Sequence, residues 1–272
     1  MIESIFFSLL IFFFGASLGS FISVLNYRIK NNKKGILLGY SVSEHTGRRL
    51  KTWELIPIIS YTILGGKDRV TKKRISPHYI FLEIITGLVV LCVFLKFPFL
   101  NVIPILSEPV FMWNMFLPFC FYTIYSIFLI AVFFYDLQNK EIPDLYLWPF
   151  FIIAVAGTFI LGTPTIIDAF VGLVIAAGFF GSQHFLSKGK WLGDGDLYLS
   201  LSLAVILGWK LFIVAVIAAY FSGAIISIIL LTTKSSKLKS AIPFGPFLVI
   251  GAFAAIFFGN EIISWYLSTI TF

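Results

Sequence analysis

Apolar residues run along this chain in long unbroken stretches, not in the alternation of a half-buried strand or the one-sided stripe of a soluble helix, and short polar segments cut these stretches apart. A helix that crosses a bilayer needs about 20 mostly apolar residues. On that measure, with each run ended by charge, Pro or Gly, the sequence predicts spans near 5–27, 79–97, 113–135, 145–161, 166–186, 197–209, 211–232 and 242–268. The sixth is short enough to be tilted or partly re-entrant. The first is longer than the core of a signal peptide and has no small-residue cleavage site, so it reads as a retained helix. The expected fold class is all-α: a polytopic membrane helix bundle of about eight transmembrane helices. Residues 1–272 read as one membrane domain, with a polar insert at 29–78 between the first two spans.

Composition agrees, with 59% hydrophobic residues, 12% charged residues and a mean hydropathy of +0.97. An ordinary soluble domain has roughly 25% charged residues. The net charge of +7 would suggest a nucleic-acid partner in a soluble chain, but here its placement reports topology, and no nucleic acid is expected. Of the 20 Lys and Arg, 18 fall on one side if the insert is cytoplasmic, leaving Lys96 and Lys210 on the other. Because Lys and Arg accumulate on the cytoplasmic side, this puts both termini outside. The Lys72-Lys73-Arg74 run reads as a solvated or lipid-facing patch, since anionic headgroups attract such clusters. Leu55-Ile56-Pro57-Ile58-Ile59 is too short to span and is expected at the interface or packed on the helices. Cys92 and Cys120 lie in apolar stretches without C-x-x-C spacing and read as packing residues.

Carboxylates at the ends of spanning helices are costly to ionise and mark candidate functional sites. Asp136 closes the third predicted span, followed by Glu141 and Asp144. Gly193-Asp194-Gly195-Asp196 opens the sixth on the same predicted face. Two carboxyls within hydrogen-bond range cannot both ionise at low cost, so a pair shares a proton and can activate water against a carbonyl. The flanking glycines Gly193 and Gly195 would let a substrate backbone approach. Spacing alone leaves another reading open: a G-x-G-D stretch also suits a polar turn before a helix, with Asp as N-cap, and Asp136 could simply be the first polar residue after a span. Asp144 suits the N-cap of the fourth helix. The histidines His45, His78 and His184 have no companion nucleophile motif, and His184, inside an apolar span, is expected to bond a neighbouring helix.

At these residues the chain resembles the prepilin (type IV leader) peptidase family. Gly193-Asp194-Gly195-Asp196 is similar to its G-x-G-D motif. Asp136 followed by Ile142-Pro143-Asp144 is similar to its first aspartate and trailing I-P-D. Gly15, Gly19-Ser20-Phe21 and Tyr27-Arg28 match its opening helix, and Ile56 to Tyr61, Ile75-Ser76, Tyr79 and Glu83 match its insert. Ile242-Pro243-Phe244-Gly245-Pro246-Phe247-Leu248 with Gly251-Ala252 matches its final helix. The resemblance implies a membrane aspartic endopeptidase that removes the leader from type IV prepilin and pseudopilin precursors, cleaving after Gly at the cytoplasmic edge of the bacterial inner membrane.

On this reading Asp136 and Asp196 are the catalytic pair, Gly193, Gly195 and Asp144 meet the substrate, and 113–268 is the protease core. Membrane lipids surround it, and proteolysis needs no cofactor. Family members commonly also methylate the new N-terminus with S-adenosylmethionine, an activity associated with the insert. Many carry two C-x-x-C pairs there; Ser43, Thr46, Asp68 and Thr71 occupy that register here, so no zinc is expected. The rival reading is an ion-coupled transporter or channel with Asp136, Asp144, Asp194 and Asp196 along its path, and it predicts acids near the bilayer midplane.

Overall fold

The computed structural model describes residues 2–33, 35–37, 39–44, 46–101, 110–233 and 242–270. His45, Lys34, Lys234, Lys237 and Lys239 lie outside the described residues. Among the described residues seven helices are long and apolar enough to cross a membrane. They are α1 (Ile2–Lys30), α3 (His78–Lys96), α4 (Trp113–Asn139), α5 (Asp144–Leu161), α6 (Ile166–Ser187), α7 (Asp194–Thr232) and α8 (Gly245–Ile270), with the one-turn α2 (Ile59–Ile63) in the insert. An antiparallel pair, β1 (Leu100–Asn101) and β2 (Val110–Phe111), is the only named sheet among the described residues. The chain forms two compact units, 1–131 and 132–272, and α4 contributes to both.

In the first unit α1 packs along α3. Gly15 and Gly19 make the close approach: a Cβ on Gly15 would stand 2.8 Å from Val90 Cβ, and one on Gly19 2.9 Å from Glu83 Cα. Helices in lipid gain little from apolar burial against each other, so small residues that let backbones meet carry the association. The Gly15-x-x-x-Gly19 motif is thus a packing seam.

The insert holds two turns of the same design. Ser43 and Asp68 each donate their N–H to the carbonyl five residues on and accept at their own carbonyl from the amide four residues on, where Gly47 and Lys72 have positive φ. Bridges Val42↔Arg49 and Lys67↔Arg74 close the two turns. The buried Asp68 carboxylate links them, accepting from Ser43 Oγ at 2.8 Å, Val70 N at 2.9 Å, Thr71 N at 2.8 Å and Thr71 Oγ1 at 3.1 Å. The resemblance sets Ser43, Thr46, Asp68 and Thr71 in register with cysteines of the family, and the hydroxyls and one fully engaged carboxylate at these positions do not form a zinc donor set. Among the described residues no group of three His, Cys, Asp or Glu could hold a metal. Nearby, Glu54 takes a bidentate pair from Arg48 at 2.8 and 2.9 Å. Leu55 to Ile59 does not span; it forms a short turn whose Ile58 amide donates to Glu83 of α3 at 2.7 Å.

In the second unit α7 packs on α5, α6 and α8. A straight α7 would hold Asp194 and Tyr220 about 39 Å apart at 1.5 Å per residue. Yet His184 and Gln183, consecutive on α6, meet Asp194 and Tyr220 respectively. The chain therefore turns back within α7, at Gly208, whose φ of 67° and ψ of 169° lie in a region open essentially only to Gly. Pro164 and Asp168 pack against its α-carbon. Residues 194–207 and 209–232 are thus two arms and account for the sixth and seventh predicted spans. The first arm reaches roughly 21 Å, short of a hydrocarbon core of about 30 Å.

Charge in the insert generates a prediction. The Thr71 amide and then the Ser43 hydroxyl hold Asp68 well below the usual carboxylate range, and the Arg48 guanidinium chiefly holds Glu54 down. A lowered folded-state pKa contributes stability above the unfolded value that is lost as pH falls through the folded one. Amide exchange across residues 43–74, corrected for intrinsic chemistry, should be protected at pH 7 and should lose protection below about pH 4. Asp68→Ala should remove the protection at neutral pH, because the four donors would lose their shared acceptor. Protection unchanged at pH 3 would refute the carboxylate link.

Candidate active site

Asp136 lies one turn before the end of α4, where Lys140 turns left-handed at φ 57° and returns its amide to the Asp136 carbonyl at 2.8 Å. The side chain is buried, and its carboxyl accepts from the Gly245 amide. Gly245 is the first residue of α8, so this amide is one of the donors a helix start leaves without an intrahelical partner. A Cβ there would stand 2.5 Å from Asp136 Oδ2. Only glycine lets the helix start come so near the carboxyl.

Asp196 is held in a parallel way. Gly193 is the N-cap of α7, Asp196 is its third helical residue, and the Gly193 amide donates to the Asp196 carboxyl. This is the return half of a capping box, in which an acid at the third position reaches back to the cap amide. Both carboxyls therefore lie at the positive ends of helices, where carboxylates are favoured. Asp136 and Asp196 also interact electrostatically with each other, and Tyr220 of the second arm is a further electrostatic neighbour of Asp196.

One apolar side chain ties the two halves together. A Cβ on Gly195 would stand 2.8 Å from Ile142 Cβ, and one on Gly245 3.1 Å from Ile142 Cδ1. Ile142 thus lies against the glycine beside each aspartate. On the side where a Cβ of Gly195 would point, Ile142 fills the space. Gly193 is different, for it is exposed and a Cβ would meet only Asp196 Oδ2, at 3.7 Å. Asp144 is exposed as the first helical residue of α5, and the N-cap position expected for it belongs to Pro143. His184 bonds the loop before α7, with Nδ1 3.0 Å from the Leu192 carbonyl and Nε2 3.1 Å from Asp194 Oδ1.

Asp136, Asp196, Gly193 and Gly195 come together at one end of the second unit, with Ile142, Gly245 and Tyr220 beside them. The first two of these additions stand inside motifs quoted above, yet their roles depend on contacts between distant segments. Tyr220 carries no motif, and only the turn at Gly208 brings it near. Lys140, Lys188 and Lys190 share this end, while Lys210 lies by the turn at the other.

Residues 13–97 match the family described as Bacterial Peptidase A24 N-terminal domain, and residues 123–228 match the Type IV leader peptidase family. A protein of Xanthomonas campestris pv. campestris named prepilin leader peptidase/N-methyltransferase is 30% identical over 237 residues, covering 86% of this chain and 77% of its own. Proteins of the same name from Legionella pneumophila and Pseudomonas aeruginosa are 28% and 26% identical, each over more than three quarters of its length. No solved structure matches the chain.

Glycine-to-alanine exchanges test this packing. In a helix interior such an exchange is normally favourable by about 0.5–1 kcal/mol. Gly195→Ala and Gly245→Ala should instead destabilise by about 1–3 kcal/mol through overpacking against Ile142 and Asp136. Gly178→Ala, where a Cβ meets open space, should be neutral or stabilising. Thermal melting of the purified protein in detergent distinguishes these, and equal melting of all three would contradict the close approach.

Proposed function

The chain belongs to the type IV leader peptidase family, and from that membership we propose that it cleaves the leader from prepilin or pseudopilin precursors with Asp136 and Asp196 as its catalytic pair. The observation that carries this reading is the mutual placement of the two carboxyls, each held by a glycine amide at a helix start. The ionised carboxyl takes a proton from water as the water oxygen attacks the scissile carbonyl carbon, and the protonated one donates to the carbonyl oxygen. Collapse of the tetrahedral intermediate breaks the C–N bond and delivers a proton to the departing amine. The products are a leader ending in a carboxylate and a mature chain with a free N-terminal amine. No enzyme nucleophile is acylated.

The substrate's apolar segment lies among the spans, and its cleavage point, after Gly, passes the open face of Gly193. Asp144 and Glu141, at the same end, suit contacts with a basic leader. The Lys distribution within the second unit supports a cytoplasmic site in the bacterial inner membrane, since Lys140, Lys188 and Lys190 accompany the aspartates. The same clustering at one end of the unit weighs against a transporter with acids along a midplane path.

The relatives' name also includes N-methyltransferase, and a cavity in the first unit suits a methyl donor. Its volume is about 320 Å³, and Tyr27, Tyr79, Glu44 and Glu83 are among the residues lining it. Carboxylates and aromatic faces are what a sulfonium cation needs. S-adenosylmethionine bound there would supply an electrophilic methyl group for the new amine, while Glu44 and Glu83 balance its charge.

Asp136→Asn and Asp196→Asn should each abolish processing of a prepilin-like substrate by purified, correctly inserted protein, whereas Asp194→Asn should stay within about threefold of wild type. Cleavage by either of the first two variants at the normal rate rejects the catalytic assignment. Titration calorimetry with S-adenosylmethionine should give saturable binding that Glu83→Gln weakens; no binding would remove the methyl-transfer reading and leave the peptidase reading intact.

A further inference from the structure

Between α6 and α7 the chain makes a tight reversal through residues 188–193. Lys188 and Gly189 are left-handed at φ 54° and 74°, the Gly189 amide returns to the His184 carbonyl at 2.9 Å, and the Trp191 amide bonds Ser187 Oγ at 3.1 Å. The His184 ring closes the reversal from inside. Its Nδ1 lies 3.0 Å from the Leu192 carbonyl, which can only accept, so Nδ1 carries the hydrogen. Its Nε2 lies 3.1 Å from Asp194 Oδ1.

The Leu192 carbonyl and the Gly193 amide are the two ends of one peptide group. That group is planar and trans, so its C=O and N–H point in opposite directions and turn together. The Gly193 amide is the one that holds the Asp196 carboxyl. A bond that fixes the direction of the Leu192 carbonyl therefore fixes the direction of the donor on the other side. We propose that His184 is a positioning residue for leader cleavage: by bonding the Leu192 carbonyl it orients the Leu192–Gly193 peptide plane and so aims Asp196 at the reacting carbonyl.

The contact with Asp194 is secondary in this arrangement. Asp194 is 77% exposed as a side chain, and an ion pair so open to solvent contributes little. His184 does not touch the substrate and supplies no proton to the reaction. The inference rests on the peptidase reading for its effect on rate, but the peptide-plane link itself does not.

The test uses the full chain in detergent and four variants. His184→Ala should lower kcat at least about tenfold, the scale of a slightly misplaced catalytic group, while KM stays within about twofold. His184→Asn carries its amide nitrogen near the position of Nδ1 and should restore most of kcat. His184→Gln carries its nitrogen near Nε2 and should not, and Asp194→Ala should lie close to wild type. Amide exchange at Gly193 should quicken in the Ala and Gln variants and stay slow in the Asn variant. Wild-type kcat in His184→Ala, a change confined to KM, rescue by Gln in place of Asn, or unchanged exchange at Gly193 would each overturn the proposal. Should wild type fail to cleave, the peptidase reading falls, and exchange at Gly193 still decides the peptide-plane link.

Discussion

A carboxyl group at the edge of a membrane helix is stable only where protein supplies the polar partners that lipid withholds. In the second unit backbone amides at helix starts are part of that supply. Helix starts are the one place where a helical protein has unpaired N–H groups to offer, and both Asp136 and Asp196 are held at such starts. This constraint explains the local sequence. To bring a helix start against a carboxyl the intervening Cβ must vanish, as at Gly245, and to let one apolar side chain touch both halves a second must vanish, as at Gly195. Glycine in this motif thus acts through packing at one position and through openness at another, Gly193.

The first unit joins its two turns through one buried carboxylate. Two turns with the same hydrogen-bond pattern must be cross-linked, and a single buried carboxylate does so by collecting four donors from both. Such a link depends on charge where a thiolate–metal link depends on affinity. The weak point of the insert therefore lies at low pH.

Much of this architecture was legible from the chain itself. Each long helix falls within a few residues of a predicted span, because hydrocarbon imposes a length that sequence must meet. The break between the sixth and seventh spans falls at Lys210 in the sequence, and the reversal itself, two residues earlier at Gly208, follows from contacts with α6. The packing seam of Gly15 and Gly19 was quoted as a motif without its cause. What could not be read was contact between segments far apart in sequence: Ile142 against Gly195 and Gly245, Tyr220 beside Asp196, and a histidine acting through a peptide group. Asp144 misled by one residue, since Pro143, with φ already near the helical value, takes the cap. At Gly195 the missing side chain signals close approach without saying by what, and the neighbour is Ile142.

The reversal at Gly208 bears on how the protein is made. An arm of roughly 21 Å with two aspartates at its leading end is a poor candidate for release into the bilayer on its own during synthesis. Its polar end is met by its own Gly193 amide, and its short length is made up when the second arm runs back beside it. Joined at Gly208, the two arms suit entry into lipid as a pair. A chain cut before α8 would carry Asp136 without the helix start that meets its carboxyl.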